Sequence, residues 1–310
     1  MRVVFMGTPD FVVPLLEELA QGPDEIIAVY TRPDRAAGRG RHPELPPVKR
    51  WAQAHHVPVF QPESIKDTAT ITELARLEPT VIVVAAYGHI LPPEVLSLPT
   101  VGCLNVHPSL LPRHRGPSPV ASALLAGDAV AGVSIMLVTM DLDGGPVLAQ
   151  RKIVIAPDDT AGSLTTKLMS IGAALLTEAL AGWVSGQIRP WAQDNARATY
   201  SKLHIRGDGE VRWQLSAEEI ERMVRAYSPW PGSYTWWRGK RLKICQARLA
   251  SGNLHGQPGQ VVALPQPFAA GVVTGKGTLM LCRVQSAGKR ELPIDEFVRG
   301  QSDFVGSLLG

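Results

Sequence analysis

The amino-acid sequence predicts an α/β protein with two domains, an N-terminal domain built on a doubly wound, mainly parallel sheet and a C-terminal domain built as a small β-barrel. Apolar strand-like runs alternate with helical patterns up to about residue 180, as a parallel sheet with helical crossovers requires. After about residue 207 the apolar runs are short and punctuated by glycines, which is typical of a small barrel. The length of 310 residues accommodates both domains.

In the N-terminal domain, the spacing of apolar residues predicts each strand and helix in turn. The predicted strands cover residues 3–6, 26–30, 58–60, 80–86, 101–106, 132–138 and 146–155. The predicted helices cover residues 11–19, 47–56, 65–77, 118–126 and 163–180. The first strand leads into a tight turn at Gly7. No further glycine follows it at G-x-G-x-x-G spacing, so the sequence lacks a dinucleotide-binding fingerprint.

Two irregular segments interrupt this pattern. Residues 32–46 are rich in glycine and proline, and loops of this length are often functional, although a solvated surface loop is the competing interpretation. The arginines of this segment are Arg32, Arg35, Arg39 and Arg41. Residues 187–206 have little apolar periodicity and are interpreted as a linker. We therefore expect domains at residues 1–186 and 207–310.

The C-terminal domain combines strand-like runs with basic and aromatic side chains. A helix is predicted over residues 217–226, and strands over 242–244, 260–264, 271–273 and 278–283. Its basic side chains are Arg238, Lys240, Arg241, Lys243, Arg248, Lys276, Arg283, Lys289 and Arg290. Cations interleaved with Trp and Tyr could follow a nucleic acid backbone, although clusters such as Trp230-Pro231 more often serve domain packing.

Net charge is divided unevenly along the chain. Residues 1–200 contain 16 Lys and Arg against 19 Asp and Glu, a net charge of −3. Residues 201–310 contain 15 against 9, a net charge of +6. This excess is compatible with a polyanionic partner, but composition alone favours an ordinary solvated surface.

Composition also indicates whether the chain folds and in which cellular compartment it is expected. With 45% hydrophobic and 19% charged residues, the chain is expected to fold rather than to be disordered. Its cysteines, Cys103, Cys245 and Cys282, are odd in number and form no C-x-x-C pair, which indicates a reduced cytoplasmic setting without a cysteine metal site. We see no signal-peptide pattern and no run that approaches ~18 apolar residues, and therefore expect a cytoplasmic protein without a membrane partner. We also expect a monomer.

The strand over residues 101–106 ends in a segment dense in polar side chains. Ligands of open parallel sheets bind outside the carboxyl ends of the strands, and Asn105 and His107 share one face of an extended chain. One helix connects this strand to the next, so a right-handed crossover, the usual connection between parallel strands, would make the two neighbours. Asp141 or Asp143, which follow that next strand, would then lie beside His107, and spacing does not choose between them.

Asn, His and Asp at one sheet edge suit acyl transfer to an amine. The histidine can accept or deliver the amine proton, and the aspartate can orient the histidine ring. The asparagine amide can donate a hydrogen bond to a developing oxyanion. No G-x-S-x-G motif lies nearby, which favours direct attack by the amine over a covalent intermediate. A metal site on His107 and Asp143 would lack an obvious third ligand. A plain turn or capping role for Asn-x-His is the competing interpretation.

The segment Asn105-Val-His-Pro-Ser-Leu-Leu-Pro112 and the motifs that follow it resemble the signature of the folate-dependent formyltransferases. Those motifs are Arg115-Gly116, Pro119, Gly127-Asp128, Gly132-Val133 and Leu142-Asp-Gly-Gly145. The resemblance implies a Rossmann-like formyltransferase fold, 10-formyltetrahydrofolate as co-substrate without a metal, and Asn105, His107 and Asp143 as catalytic residues. It thereby favours Asp143 over Asp141. The folate-binding residues that it implies are Tyr87, Gly88, His89, Ile90, Ser109, Leu110, Leu111 and Pro112.

Four further segments resemble the branch of this family that acts on methionyl-tRNA. They are residues 7–11, 33–40, 199–200 and 228–231. The resemblance implies initiator methionyl-tRNA as the amine substrate and an OB-like fold for the barrel. It places tRNA contacts on Arg35, Arg39 and Arg41 of the arginine-bearing loop and on Lys240, Arg241 and Lys243 of the barrel. The alternatives are a formyltransferase for a small amine, such as an amino sugar nucleotide or glycinamide ribonucleotide, and a non-catalytic RNA-binding protein.

Overall fold

The computed structural model describes residues 1–37, 42–252, 254–265 and 269–310. Within them the chain forms two compact units, each assembled from several segments. The first unit contains Met1–Pro119, Val130–Val154 and Thr165–Ser201. The second unit contains Val120–Ala129, Ile155–Leu164 and Lys202–Gly310.

A seven-stranded sheet in the order β5-β2-β1-β6-β7-β8-β9 forms the centre of the first unit. The strands up to residue 154 are β1 (Arg2–Gly7), β2 (Glu25–Tyr30), β3 (Arg35–Ala37), β4 (His42–Glu44), β5 (Val59–Phe60), β6 (Val81–Ala85), β7 (Gly102–His107), β8 (Val130–Leu137) and β9 (Val147–Val154). Strands β5, β2, β1, β6 and β7 run parallel to one another, whereas β8 is antiparallel to β7 and β9 is antiparallel to β8. This arrangement confirms the predicted mainly parallel sheet.

Both faces of this sheet are covered by helices, which explains why its central strands are apolar without interruption. The helices up to residue 184 are α1 (Val13–Gln21), α2 (Pro47–Ala54), α3 (Thr68–Arg76), α4 (Pro93–Leu96), α5 (Pro119–Ala126) and α6 (Ala161–Val184), of which α5 belongs to the second unit from Val120 onwards. In β1, Val3 and Phe5 pack in one buried cluster with Leu15 of α1, whereas Val4 and Met6 pack in the other. That second cluster also contains side chains of α3 and α4. The sheet is therefore doubly wound, as predicted.

Helix α6 is long and apolar enough to cross a membrane by length and composition, with a mean hydropathy of 1.2 over 18 residues. The expectation from the sequence concerned an unbroken run of ~18 apolar residues, and α6 is not such a run because Lys167 and Glu178 lie within it. Half of that window is buried inside the protein. Met169, Leu176 and Leu180 of α6 pack in the same cluster as Val3. A core helix of a soluble protein meets the same criterion.

The segment 32–46, predicted to be irregular, contains regular structure. Strands β3 and β4 pair in an antiparallel two-stranded sheet, with Arg35 opposite Glu44 and Ala37 opposite His42. Short antiparallel pairs of this kind leave little periodicity in a sequence because each strand has only three residues. Arg39 and Arg41 lie outside the described residues.

A curled six-stranded antiparallel sheet forms most of the second unit, with the order β10-β11-β14-β13-β12 and with β15 paired to β14. Its strands are β10 (Ser233–Trp237), β11 (Lys240–Leu249), β12 (Val261–Ala263), β13 (Ala270–Val273), β14 (Thr278–Ser286) and β15 (Glu291–Pro293), and its helices are α7 (Ala217–Ala226) and α8 (Ile294–Arg299). Helix α7 begins where predicted because Ser216 and Glu219 form a reciprocal capping box. The predicted fold class is thus confirmed for this unit as well.

Candidate active site

Strand β7 presents two polar side chains at its carboxyl end. Leu104 and Val106 pack in the cluster on one face of the sheet, and Cys103 packs in the cluster on the other. Because side chains alternate along a strand, Asn105 and His107 lie on the face of Cys103. His107 is buried and Asn105 is half-buried. The shared face predicted from the two-residue spacing is observed.

The carboxylate of Asp143 joins these two side chains. Asn105 Nδ2 donates to Asp143 Oδ1 at 3.3 Å. Asp143 Oδ2 lies 3.7 Å from His107 Nδ1 and accepts a hydrogen bond of 2.7 Å from the backbone amide of Gly116. The structure therefore brings together the three residues that the resemblance implied, around a single carboxylate.

The route by which Asp143 arrives there differs from the predicted crossover. Strand β8 is a neighbour of β7, as expected, but it runs antiparallel, with His107 opposite Ser134 and Leu104 opposite Leu137. The carboxyl end of β8 therefore lies beside the middle of β7 and not beside His107. Asp143 reaches His107 through the turn that joins β8 to β9, where it adopts a φ of +46°. The prediction of proximity was right, and the crossover argument for it was wrong.

His107 has a defined ring orientation. Its Nε2 lies 3.0 Å from the backbone carbonyl oxygen of His114. A carbonyl oxygen can only accept, so this hydrogen bond requires a proton on Nε2. Nδ1 is then the ring nitrogen that faces the Asp143 carboxylate. Proton exchange between His107 and the carboxylate is geometrically possible only through Nδ1.

The segment from Ser109 to Pro112 is held by side chains of β8 and β9 that the sequence did not indicate. Ser134 Oγ donates to the carbonyl of Ser109 and accepts from the amide of Leu111 at 3.2 Å. Gln150 Nε2 donates to the carbonyl of Leu111 at 2.8 Å. Ser109 and Leu111 are buried, whereas Leu110 and Pro112 are partly exposed. This backbone is consequently fixed next to His107.

The predicted folate residues after β6 divide into buried and exposed positions. Gly88 and Ile90 are exposed, and His89 is partly exposed. Tyr87 is buried, and burial raises the pKa of its phenol to about 12. The pKa of His89 is lowered by burial and by the neighbouring Arg32 guanidinium. Because β6 and β7 are parallel neighbours, this segment leaves the sheet at the same edge as His107.

The predicted tRNA-binding residues lie in both units. Arg35 opens strand β3, while Lys240, Arg241 and Lys243 lie on strand β11. Leu242 and Ile244 of β11 are buried, so Arg241 and Lys243 share the outward face of that strand. Arg241 lies over the ring of Tyr234, with its guanidinium carbon 3.4 Å from the ring centroid. The strand thus carries two partly buried cations on the same face.

Among the described residues, no cluster of three or more His, Cys, Asp or Glu side chains has the geometry of a metal site. The Asp143 carboxylate instead contacts the amide of Asn105 and the imidazole of His107.

Two sequence families match the chain. Residues 1–180 match the formyl transferase family, and residues 205–302 match the formyl transferase C-terminal domain. The chain belongs to the formyl transferase family. Among curated members of this family, the methionyl-tRNA formyltransferase of Roseiflexus castenholzii is 48% identical over 312 residues, which covers 100% of this chain and 99% of that protein. The methionyl-tRNA formyltransferase of Chloroflexus aurantiacus is 47% identical and covers 97% of each chain.

Solved structures support the formyl transferase fold. HypX from Aquifex aeolicus in complex with tetrahydrofolic acid superposes with a TM-score of 0.63 at 19% identity, over 98% of this chain and 48% of HypX. A methionyl-tRNA formyltransferase from Clostridium thermocellum superposes with a TM-score of 0.58 at 14% identity, over 82% of this chain and 95% of that one. At these identities the likeness concerns the fold alone.

Proposed function

We propose that this chain transfers the formyl group of 10-formyltetrahydrofolate to the amino group of the methionyl moiety on initiator methionyl-tRNA, for translation initiation. The observation that carries the proposal is the full-length similarity, at 40–48% identity, to proteins named methionyl-tRNA formyltransferase. The contact of Asn105, His107 and Asp143 at one sheet edge supports it, because acyl transfer to an amine needs an oxyanion donor and a proton acceptor.

In this proposal Asn105 stabilises the oxyanion that forms when the methionyl amine attacks the formyl carbon. A side-chain amide has two donor hydrogens, and the bond to Asp143 uses one of them. The carboxylate thereby fixes the direction of the other. One such donor contributes a factor of ~10²–10³ in rate. Asn105 is therefore expected to be the largest electrostatic contributor among the three residues.

His107 and Asp143 handle the proton that the amine loses. The attacking amine has to be neutral, and α-amino groups have a pKa of ~7.7–8.0, so little base strength is needed near neutral pH. His107 Nδ1 and Asp143 Oδ2 face each other at 3.7 Å, so both groups can take part in transferring the same proton. The proton then passes to the nitrogen of the folate, which leaves as the formyl carbon–nitrogen bond breaks.

We propose that the folate lies against two segments at this edge of the sheet. Leu110, Leu111 and Pro112 with Ser109 would form one wall, and Tyr87, Gly88, His89 and Ile90 would border the pterin ring. The exposure of Ile90, a residue that is 66% accessible, supports this assignment, since a large apolar side chain at a sheet edge suits a flat aromatic ligand. The fixed backbone of residues 109–112 supports it as well.

For the tRNA, we propose contacts through Arg35, Arg39 and Arg41 near the acceptor end and through Lys240, Arg241 and Lys243 along the backbone. The outward cations of β11 and the excess of positive charge after residue 200 support the second group. We further propose a catalytic domain over residues 1–186, a linker over 187–206 and a tRNA-binding domain over 207–310. A monomer in the cytoplasm, without a membrane partner or a metal, completes the proposal.

The proposal is tested by incubating the purified protein with 10-formyltetrahydrofolate and charged initiator tRNA and following formyl-methionine. We expect formylation that depends on both substrates. A parallel reaction with an amino sugar nucleotide or glycinamide ribonucleotide tests the small-amine alternative. Formylation of the small amine without formylation of methionyl-tRNA would overturn the proposal.

A further inference from the structure

The side-chain amide of Gln193 uses its full hydrogen-bonding capacity behind Asp143. Its Nε2 donates to the backbone carbonyl of Asp143 at 2.8 Å and to that of Gly145 at 2.7 Å. Its Oε1 accepts from Arg115 Nε at 3.0 Å and from Arg115 Nη2 at 2.8 Å. An amide offers two donor hydrogens and two acceptor lone pairs, so every one of them is engaged.

Arg115 fixes the position of Gln193 in turn. Its guanidinium is buried and also donates to Asn195 Oδ1 at 2.8 Å. Its backbone pairs with the same segment, since the Arg115 amide donates to the carbonyl of Thr199 at 2.9 Å and its carbonyl accepts from the amide of Ser201 at 2.7 Å. Gln193 is therefore held from behind by a rigid, buried cation.

Asp143 has a backbone conformation that needs such support. Its φ of +46° lies in the left-handed region, which costs an L-residue roughly 1–2 kcal/mol. Two residues further along the turn, the surroundings of Gly145 leave no room for a side chain, since a Cβ there would collide with the carbonyl of Leu137. The two bonds from Gln193 bracket this turn on both sides of Gly144. They hold the backbone from which the Asp143 side chain projects.

We propose that Gln193 is a positioning residue for formyl transfer, which acts by fixing the Asp143 carboxylate towards Asn105 and His107. The inference rests on the proposed function, because it gives Gln193 its effect through the proposed catalytic role of Asp143. Misplacement of a catalytic group by about 1 Å can lower a rate a hundredfold. Gln193 lies behind the turn that bears Asp143, so its loss alters the rate of the chemical step.

The test is single-turnover formylation of methionyl-tRNA by Gln193→Glu. Glutamate keeps the shape and the acceptor for Arg115, but it has no donor for the two carbonyl oxygens and repels them. We expect the rate constant to fall about tenfold or more, with the reacting fraction of enzyme and the half-saturating concentrations of both substrates within about twofold of wild type. Gln187→Glu is the matched control, since Gln187 is exposed on the same stretch of chain.

A merely structural role would give a different result, namely a smaller reacting fraction at an unchanged rate constant. Gln193→Met, which has a similar volume and makes neither set of hydrogen bonds, is measured in the same way. The inference is overturned if both variants match Gln187→Glu in rate constant, or if neither variant folds. Absence of formylation by the wild-type protein would overturn the proposed function instead, so the two failures are distinguishable.

Discussion

The backbone amide of Gly116 donates a hydrogen bond of 2.7 Å to Asp143 Oδ2, the carboxylate oxygen that also faces His107. Gly116 has a φ of +102°, and a Cβ at this position would lie 2.9 Å from the carbonyl oxygen of Ser201. Both observations exclude a side chain without movement of the backbone. The position of the carboxylate thus depends on a residue that contributes only its backbone.

Substitution Gly116→Ala should therefore lower the rate of formyl transfer. The added methyl group would push residue 116 away from Ser201 and lengthen the bond from its amide to Asp143. We expect kcat to fall at least tenfold and stability to fall by about 1–2 kcal/mol or more. Steady-state kinetics and urea unfolding measure the two effects.

The matched control is Gly186→Ala. Gly186 has a φ of +73°, and no atom lies within 4 Å of the position that its Cβ would take. This variant should lose about 1 kcal/mol of stability for the same backbone reason and keep its kcat. If both glycine variants keep wild-type kcat, the bond from Gly116 does not contribute to the reaction.

Replacement of the three contacting side chains should separate catalysis from folding. We expect Asn105→Ala to lower kcat by ~10²–10³ through loss of the oxyanion donor, and His107→Ala by ~10²–10⁴ through loss of proton transfer. Asp143→Ala should also cost about 1 kcal/mol of stability, because the amide of Gly116 loses its acceptor. Initial rates and thermal unfolding of each variant provide the measurements.

Asp141→Ala serves as the control for this series, since Asp141 is an exposed carboxylate of the same turn. Near wild-type formylation by all three active-site variants would remove the basis of the mechanism. A loss with Asp141→Ala equal to that with Asp143→Ala would show that the turn, rather than the carboxylate, matters.

The central strands β1, β6 and β7 of the first unit were predictable because each is a mostly apolar run that is largely buried on both faces. The direction of β8 was not predictable, since an apolar run such as Val130–Leu137 is compatible with both a parallel and an antiparallel strand. The antiparallel pairing of β3 and β4 was missed because a strand of three residues is too short to show a two-residue alternation of apolar and polar side chains. Helix α7 was predicted to the residue, and its capping box is the local signal that marks its start.

The candidate site was predictable only where a motif names a residue. Asn105 and His107 follow from the end of an apolar strand, and Asp143 was chosen over Asp141 by resemblance. The role of Gln193 was not predictable from the sequence, because its partners Arg115 and Asp143 are 78 and 50 residues away along the chain. A single glutamine in a segment without periodicity is also typical of a residue that faces solvent. Hydrogen bonds between side chains and distant backbone carbonyls depend on the fold, which local sequence does not contain.

The cysteines should be inert in the folded protein. Burial raises the pKa of the Cys103 thiol to about 12 and that of Cys245 to about 11, and it also raises the pKa of Cys282. The reactive thiolate is therefore scarce near neutral pH. We expect negligible alkylation by iodoacetamide at pH 7.5 with full formylation activity retained, and alkylation of all three cysteines in denaturant, as read by mass spectrometry. Rapid alkylation of the native protein with loss of activity would contradict this.

The outward cations of strand β11 should contribute to tRNA affinity in a salt-dependent way. Removal of one cation that binds a phosphate reduces the slope of log K against log salt by ~0.7–0.9. We expect Arg241→Gln/Lys243→Gln to weaken tRNA binding and to lower that slope by about 1–2, as measured by filter binding over a range of potassium chloride concentrations. Lys66→Gln/Arg189→Gln removes two exposed cations elsewhere and is the control. An equal slope for both double variants would remove β11 from the proposed tRNA-binding surface.

Substitution of Arg39 and Arg41 distinguishes methionyl-tRNA from a small amine as the substrate. If the arginine-bearing loop binds the acceptor end of the tRNA, Arg39→Gln/Arg41→Gln should lower kcat/KM for methionyl-tRNA by about tenfold to a hundredfold, because the variant cannot form charge-assisted hydrogen bonds to phosphates at the reacting end. The same variant should show a weaker salt dependence of turnover. The folate should be unaffected, so its KM should stay within about twofold of that of Lys66→Gln/Arg189→Gln. An unchanged kcat/KM and salt dependence would indicate that the loop does not bind tRNA and would favour a small amine as the substrate.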